Sequence, residues 1–307
     1  MRGNDQGAAL LELTQLQRKI VDANLTIADL APDRPEFLHA VLCQVGLPRS
    51  RQENRVFERT CGNASLLLEA GQRLVGIGQW QECPLPYGAQ PRLVLYHLCS
   101  EAVRTQSNLV DVGGSVRGFL QRVGISFGGK EFNRFKEQMT ALSCCRMTLA
   151  YVAPDGRVSQ MQATPIDSFD AWLHPDPAQR AFWPDVIELH PKFFHTLLEH
   201  AVPLDPRAIG ALQHSALALD VYTWLAHRLC RVRKAEGVKL SWGNLRQQFG
   251  QEYACSKDFK KEFKTALLKV RVVYPAARID DEIGGLRLYS SPPPVPKSQV
   301  VVQLPGK

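Results

Sequence analysis

Apolar residues along this chain recur with helical and strand periods, and the alternation between them outlines two stretches built in the same order. In the later stretch Trp242, Leu245 and Phe249 fall at i, i+3 and i+7 between Ser241 and Gly250, which predicts a short helix with a serine cap and a glycine stop. Ser256 opens a longer helix with Phe259, Phe263, Ala266, Leu267 and Val270 on one side and Lys257, Lys260, Lys261 and Lys264 on the other. Past Tyr274-Pro275 the period shortens: Ala277 to Ile279 and Leu286 to Tyr289 flank an acidic run and Gly284-Gly285, a hairpin signature. Upstream, Ala218, Val221, Tyr222, Leu225 and Leu229 mark a helix that ends in the basic run from Arg228 to Lys234. Helix, short helix, basic helix and hairpin is the order of a winged helix-turn-helix.

The earlier stretch reads the same way. A helix from Arg92 carries Leu93, Leu95, Tyr96, Leu98, Cys99 and Val103; a capped short helix follows at Ser115 to Gly124. Lys130 to Leu142 then places Phe132, Phe135, Met139 and Leu142 on one side, and Arg146 to Val152 and Arg157 to Thr164 flank Pro154-Asp-Gly156 as a hairpin. Setting Gly124 on Gly250 and Lys130-Glu-Phe132 on Lys257-Asp-Phe259 gives offsets of 126 and 127, so one unit used twice accounts for both halves. The expected architecture is α+β and helix-rich, with two tandem winged-helix domains behind an N-terminal helical and arm region. Residues 1–84 hold a leading helix, an arginine-rich arm (46–59) read mainly as solvated linker, and short strands. Residues 85–202 form the first winged helix, to which 185–189 add a strand and Phe193 to Glu199 a helix. Pro203 to Pro206 mark the joint to the second, at 203–290, and 291–307 form a stiff Pro-rich tail in which Gln299 to Leu304 has strand character.

Charge changes the picture. From Ala216 to the end there are 16 Lys and Arg against 8 Asp and Glu, whereas the first 215 residues hold 21 against 22. All the excess positive charge therefore sits in the last third, where a fixed basic face displaces counterions from a phosphate backbone. The sites expected to meet DNA there are Lys257, Lys260, Lys261 and Lys264, with Arg246 and Arg271 beside them and Arg278 and Arg287 on the hairpin. In the first unit Lys130, Asn133, Arg134 and Lys136 form a second contact or a dimer interface, because Glu131 and Glu137 dilute their field.

Catalytic and cofactor chemistry finds no purchase. Gly124-Ile-Ser-Phe-Gly-Gly-Lys130 fits the first seven positions of a phosphate-cradling loop, but Glu131 stands where a magnesium-holding Ser or Thr is needed, and a helix precedes it instead of a strand. The eight cysteines include no Cys-x-x-Cys pair and the eight histidines are scattered, so no metal site is expected and the thiols are read as reduced and mostly buried. No apolar run is long enough to span a bilayer, and the first residues lack a secretory leader, which places the chain in the cytoplasm.

Many short runs, in order, also resemble a known family. Trp242, Leu245, Gln248-Phe-Gly250, Phe259-Lys260, Phe263, Val272-Val-Tyr-Pro275, Gly284-Gly-Leu286 and Ser290-Ser-Pro-Pro-Pro-Val295 are similar to the carboxy-terminal region of plasmid-encoded RepA-type replication initiators. So are Leu219-Asp-Val-Tyr-Thr-Trp-Leu225, Gly46-Leu-Pro-Arg-Ser50, Leu85-Pro-Tyr-Gly88 and Ser115 with Phe119-Leu120, a span of roughly 45–296. The resemblance implies a bacterial initiator that binds repeated double-stranded sites at a plasmid origin, opens adjacent DNA, recruits host replication proteins such as the helicase or its loader, and forms homodimers. A transcriptional repressor on the same modules, or an accessory protein whose winged helices bind protein, stay open as alternatives.

Overall fold

The computed structural model describes residues 14–126, 128–168 and 185–296. The chain opens with α1 (Gln15–Asp29), started by a capping box in which Thr14 accepts from the Gln17 amide and Gln17 accepts from that of Thr14. Then come β1 (Glu36–His39), α2 (Ala40–Val45), the antiparallel pair β2 (Val56–Cys61) and β3 (Ala64–Glu69), and a separate hairpin, β4 (Gln72–Gly76) and β5 (Gln79–Glu82). The first half continues with α3 (Ala89–Thr105), β6 (Leu109–Asp111), α4 (Val116–Arg122), α5 (Gly129–Cys144), β7 (Arg146–Val152), β8 (Val158–Ala163), β9 (Ile166–Ser168), β10 (Val186–Leu189) and α6 (Pro191–His200). Next follow β11 (Ala201–Leu204), α7 (Pro206–Leu212), α8 (Ala216–Arg228), β12 (Val238–Ser241), α9 (Trp242–Phe249), α10 (Ser256–Val273), β13 (Ile279–Glu282) and β14 (Gly285–Leu288).

The order α3-β6-α4-α5-β7-β8 is repeated by α8-β12-α9-α10-β13-β14, including a short strand after the first helix that periodicity did not reveal in either half. Three- and four-residue strands are too short to show alternation. Strand pairing separates the halves. In the second, β14 lies between β12 and β13, closing a self-contained three-stranded sheet. In the first, the β7-β8 hairpin is taken by β3 into a four-stranded sheet in the order β2-β3-β7-β8, and β6 pairs instead with β10, which also pairs with β9. The mixed α+β, helix-rich character stands; the sheets of the two halves are not copies of one another.

Two linkers expected from composition are structural. Pro203 lies in β11, which pairs along its length with β1, so the joint at 203–206 is a paired strand running into α7. Proline fits there because β11 lies in a two-stranded sheet and so has a free edge. The arginine-rich arm is solvated only in part: Arg51, Glu53 and Asn54 are exposed, but Leu47 and Arg59 are buried, and Arg49 has only 7% of its side chain exposed. A high arginine count suggested solvent because the buried carboxylates that meet those arginines lie far away in sequence. The tail is anchored through buried Ser291 and Val295 and through the Tyr274 hydroxyl, which donates to the Pro292 carbonyl at 2.6 Å. The strand-like run from Gln299 to Leu304 lies outside the described residues.

The core is continuous across both halves. Leu98, Phe119, Phe135 and Leu142 from the first share one buried cluster with Leu219, Tyr222, Phe259, Phe263 and Val270 from the second. No helix among the described residues is long and apolar enough to cross a membrane.

Candidate nucleic-acid interface

α10 is held from beneath by aromatic packing. Phe259 and Phe263 are buried, with ring centroids 5.5 Å apart, and Phe249 of α9 sits 5.4 Å from Phe263 and 5.2 Å from Trp224 of α8. Rings at these spacings and tilts contribute beyond their buried area. The apolar side of α10 thus fixes its opposite side outward, and Lys257, Lys260, Lys261 and Lys264 are all exposed.

Trp242, at the first position of α9, lies under two of those lysines. The Lys260 and Lys264 ammonium groups are 5.0 and 5.7 Å from its ring, which stands edge-on to Phe263 at 6.1 Å. A ring attracts a cation without neutralising it, so the charge stays available to a ligand. Among the described residues no carboxylate pairs with any of the four lysines. Periodicity assigned Trp242 to the apolar face, which is half right; its second role needed the three-dimensional approach of α9 to α10.

The arginines expected beside the lysines divide. Arg278 is exposed and lies 5.4 Å over the Tyr289 ring. Arg271 donates to the Asp281 carboxylate at 3.2 Å and the Ile279 carbonyl at 3.1 Å. Arg287 donates to the Glu282 carboxylate and, at 2.9 Å, to the Glu236 carbonyl, while Lys239 stands 3.4 Å from the same carboxylate. The hydrogen bond from Arg287 holds the Glu282 carboxyl below its ordinary range. Asp281 and Glu282, adjacent on β13, thus offset most of the wing's positive charge. Arg246 is half-buried and donates to the Ala254 carbonyl at 3.3 Å.

On α5, Lys130, Asn133 and Arg134 are exposed and Lys136 half-buried. Arg134 lies 5.8 Å over the Tyr87 ring, and Glu137 meets Arg51 at 3.5 Å. The face is mixed in sign, unlike that of α10.

A buried electrostatic cluster sets the position of α10. Arg92 of α3 grips Asp220 of α8 at two points, 2.7 and 2.9 Å, and Arg49 reaches the same carboxylate at 3.2 Å. Arg49 also meets Glu252, in the turn between α9 and α10, at 3.0 Å and donates to the Phe249 carbonyl. Arg59 of β2 lies 3.7 Å from Glu252 and donates to Gln251 at 3.2 Å. Burial pulls the Arg92 guanidinium down, but the grip of Asp220 outweighs it and leaves Arg92 above its ordinary value; Arg59, less well paired, is brought down to about 9 by burial and by neighbouring Arg49. The first half thereby holds the turn from which the lysine helix springs.

Comparison with known proteins adds an independent finding. The model of the family described as plasmid encoded RepA protein matches residues 85–244, just over half of the chain. The chain belongs to the plasmid-encoded RepA family.

The RepA match runs from the loop before α3 through Asn244 of α9 and ends before α10. No curated protein matches the sequence. Among solved structures this chain is similar to the crystal structure of RctB domains 2-3, at a TM-score of 0.48 and 11% identity, covering 80% of this chain and 94% of that one. A selenomethionine structure of RctB domains 2 and 3 gives 0.49, with the same identity and coverage. Between the halves of the chain lies an open polar groove of about 760 Å³, lined by Asn63, Tyr151, Arg228, Lys239, Asn244 and Gln247 among others.

Proposed function

We propose that this RepA-family chain is a plasmid replication initiator whose second half is a winged helix gripping double-stranded origin DNA through α10. The carrying observation is the set of four exposed lysines that no carboxylate among the described residues pairs with, on a helix fixed from beneath by a dense aromatic core. Such a face suits the major groove, with the ammonium groups at phosphates or base edges. Supporting the fold reading, α8, β12, α9, α10 and the β13-β14 hairpin follow in winged-helix order, with the hairpin closed onto β12.

In this reading Arg278 is the wing residue that reaches a phosphate, while Arg271 and Arg287 brace the wing. The mixed charge of α5 favours a supporting role for the first half, as a weaker DNA contact or a homodimer surface. The protein acts by binding in the cytoplasm, with origin opening and recruitment of the host helicase or its loader following from the DNA complex. A gel shift with plasmid origin fragments tests DNA binding, and absence of any shift would favour a protein-binding module. An origin plasmid that replicates only when the protein is supplied in trans separates the initiator from a repressor.

A further inference from the structure

Two cysteines that the DNA-binding account does not use are brought together at the foot of the β4-β5 hairpin. The Cys83 amide donates to the Gly71 carbonyl at 3.0 Å, closing the base of the hairpin. Cys144, the last residue of α5, packs onto the same glycine: a Cβ at position 71 would lie 1.9 Å from the Cys144 carbonyl oxygen and 3.3 Å from its Cβ. Only glycine permits that approach. It brings Cys83 and Cys144 to the same glycine, close enough for their thiols to interact.

Their surroundings differ. Cys83 is 4% exposed, whereas Cys144 is half-buried and lines an open cleft of about 410 Å³ with Glu69, Gly71, Arg146 and Gln162. The hydrogen bond from Cys83, helped by Ser143 and the nearby Arg73 guanidinium, lowers the Cys144 thiol to about 7, and the same bond raises Cys83. An accessible sulfur with thiolate character beside a buried partner is the arrangement of an attacking and a resolving thiol.

We propose that Cys83 and Cys144 form a reversible disulfide, in which Cys144 meets a small disulfide oxidant in the cleft and Cys83 resolves the adduct. With glutathione disulfide the Cys144 thiolate attacks one sulfur, expels one glutathione thiolate and leaves a mixed disulfide. Cys83 then gives up its proton, attacks the Cys144 sulfur and expels the second glutathione thiolate. The two protein thiols lose two electrons, glutathione disulfide gains them, and the two protons end on the released glutathiones. The bond ties the end of α5 to the hairpin.

The test uses the full chain with its exposed thiols removed (Cys230→Ser and Cys255→Ser), equilibrated at graded ratios of oxidised to reduced glutathione, acid-quenched, alkylated and digested without reduction. The expected product is one peptide pair joining Cys83 to Cys144, appearing as the ratio rises and reversed by excess reduced glutathione. It persists in Cys145→Ser and vanishes in Cys144→Ser, while Cys83→Ser accumulates a glutathione adduct on Cys144. In the native reduced protein Cys144 is alkylated at least tenfold faster than Cys83. Absence of the joined pair at every ratio, a pair made through Cys145, or faster alkylation of Cys83 would each overturn the proposal. The peptide mapping on the parent chain decides the matter even if a single variant folds poorly.

Discussion

Replacing Asp220 by Ala removes the one carboxylate that Arg49 and Arg92 share. Both guanidiniums and the carboxylate are nearly out of solvent, with 7%, 3% and 6% of their side chains exposed, so water cannot substitute for the lost partner. Arg49, Arg59 and Arg92 would then face Glu252 alone. Breaking a buried pair from one side costs about 3–5 kcal/mol, because an uncompensated charge stays behind. Against a total stability of roughly 5–15 kcal/mol this is about a fifth of the fold or more. With an m-value of about 3 kcal/mol/M the urea midpoint should fall by about 1 M or more. Because the core runs through both halves, the loss should appear as one shifted transition by fluorescence and circular dichroism alike. Replacing the pair together, with Arg92→Met and Asp220→Leu, should recover much of the loss, since the desolvation of both charges is relieved. A cost for Asp220→Ala below about 1 kcal/mol would refute the claim that this cluster holds the halves together.

Four further outcomes follow from the geometry. Phe263→Ala, at 0% exposure beneath the lysines, should cost about 3–5 kcal/mol and weaken DNA binding with it, read from denaturation and titration of one preparation. Trp242→Ala removes the ring under Lys260 and Lys264 but no charge, so affinity should fall about threefold to tenfold while its dependence on salt stays unchanged. Arg278→Ala should lower the salt slope by about 0.9, one phosphate contact, and Arg287→Ala should leave it nearly unaltered, because Glu282 already neutralises Arg287. Acid should weaken the fold through His39, whose imidazole is brought down to about 3 by burial and by neighbouring His200. The unfolded chain takes up a proton below its ordinary value of 6.5 while the native one does not, so stability falls with pH from there toward 3; buried His97 and His227, both brought down to about 4, act in the same direction, and urea denaturation should show the parent chain losing about 2 kcal/mol more than His39→Gln between pH 7 and 5.

Much of the second half was legible in the sequence because each helix carries its own signals. The Ser241 cap accepts from the Asn244 amide at 3.1 Å, Gly250 ends α9, and the apolar positions of α10 are the ones that pack. The recurring element order was legible for the same reason, but strand pairing was not: nothing local to β7-β8 says that β3, some eighty residues earlier, will take its edge. The lysine face was read directly from spacing and charge, whereas the neutralisation of Arg287 depended on the register of β13 against β14, which sets Arg287 opposite Asp280 and diagonal to Glu282, and that of Arg271 on the approach of α10 to Asp281 of β13. The arginine arm was misread for a related reason. Arg49 and Arg59 find their carboxylates at Asp220 and Glu252, far along the chain, and local composition has no way to register that.

The central claim is that α10 holds duplex DNA through unneutralised lysines, and the most direct measurement is the salt dependence of origin binding for the parent chain and for Lys260→Ala, Lys261→Ala and Lys264→Ala combined. The plot of log affinity against log salt should be shallower in the triple variant by about 2–3, near 0.9 for each phosphate contact removed, with folding stability unchanged. An unchanged slope would contradict the account, whatever happened to the affinity itself.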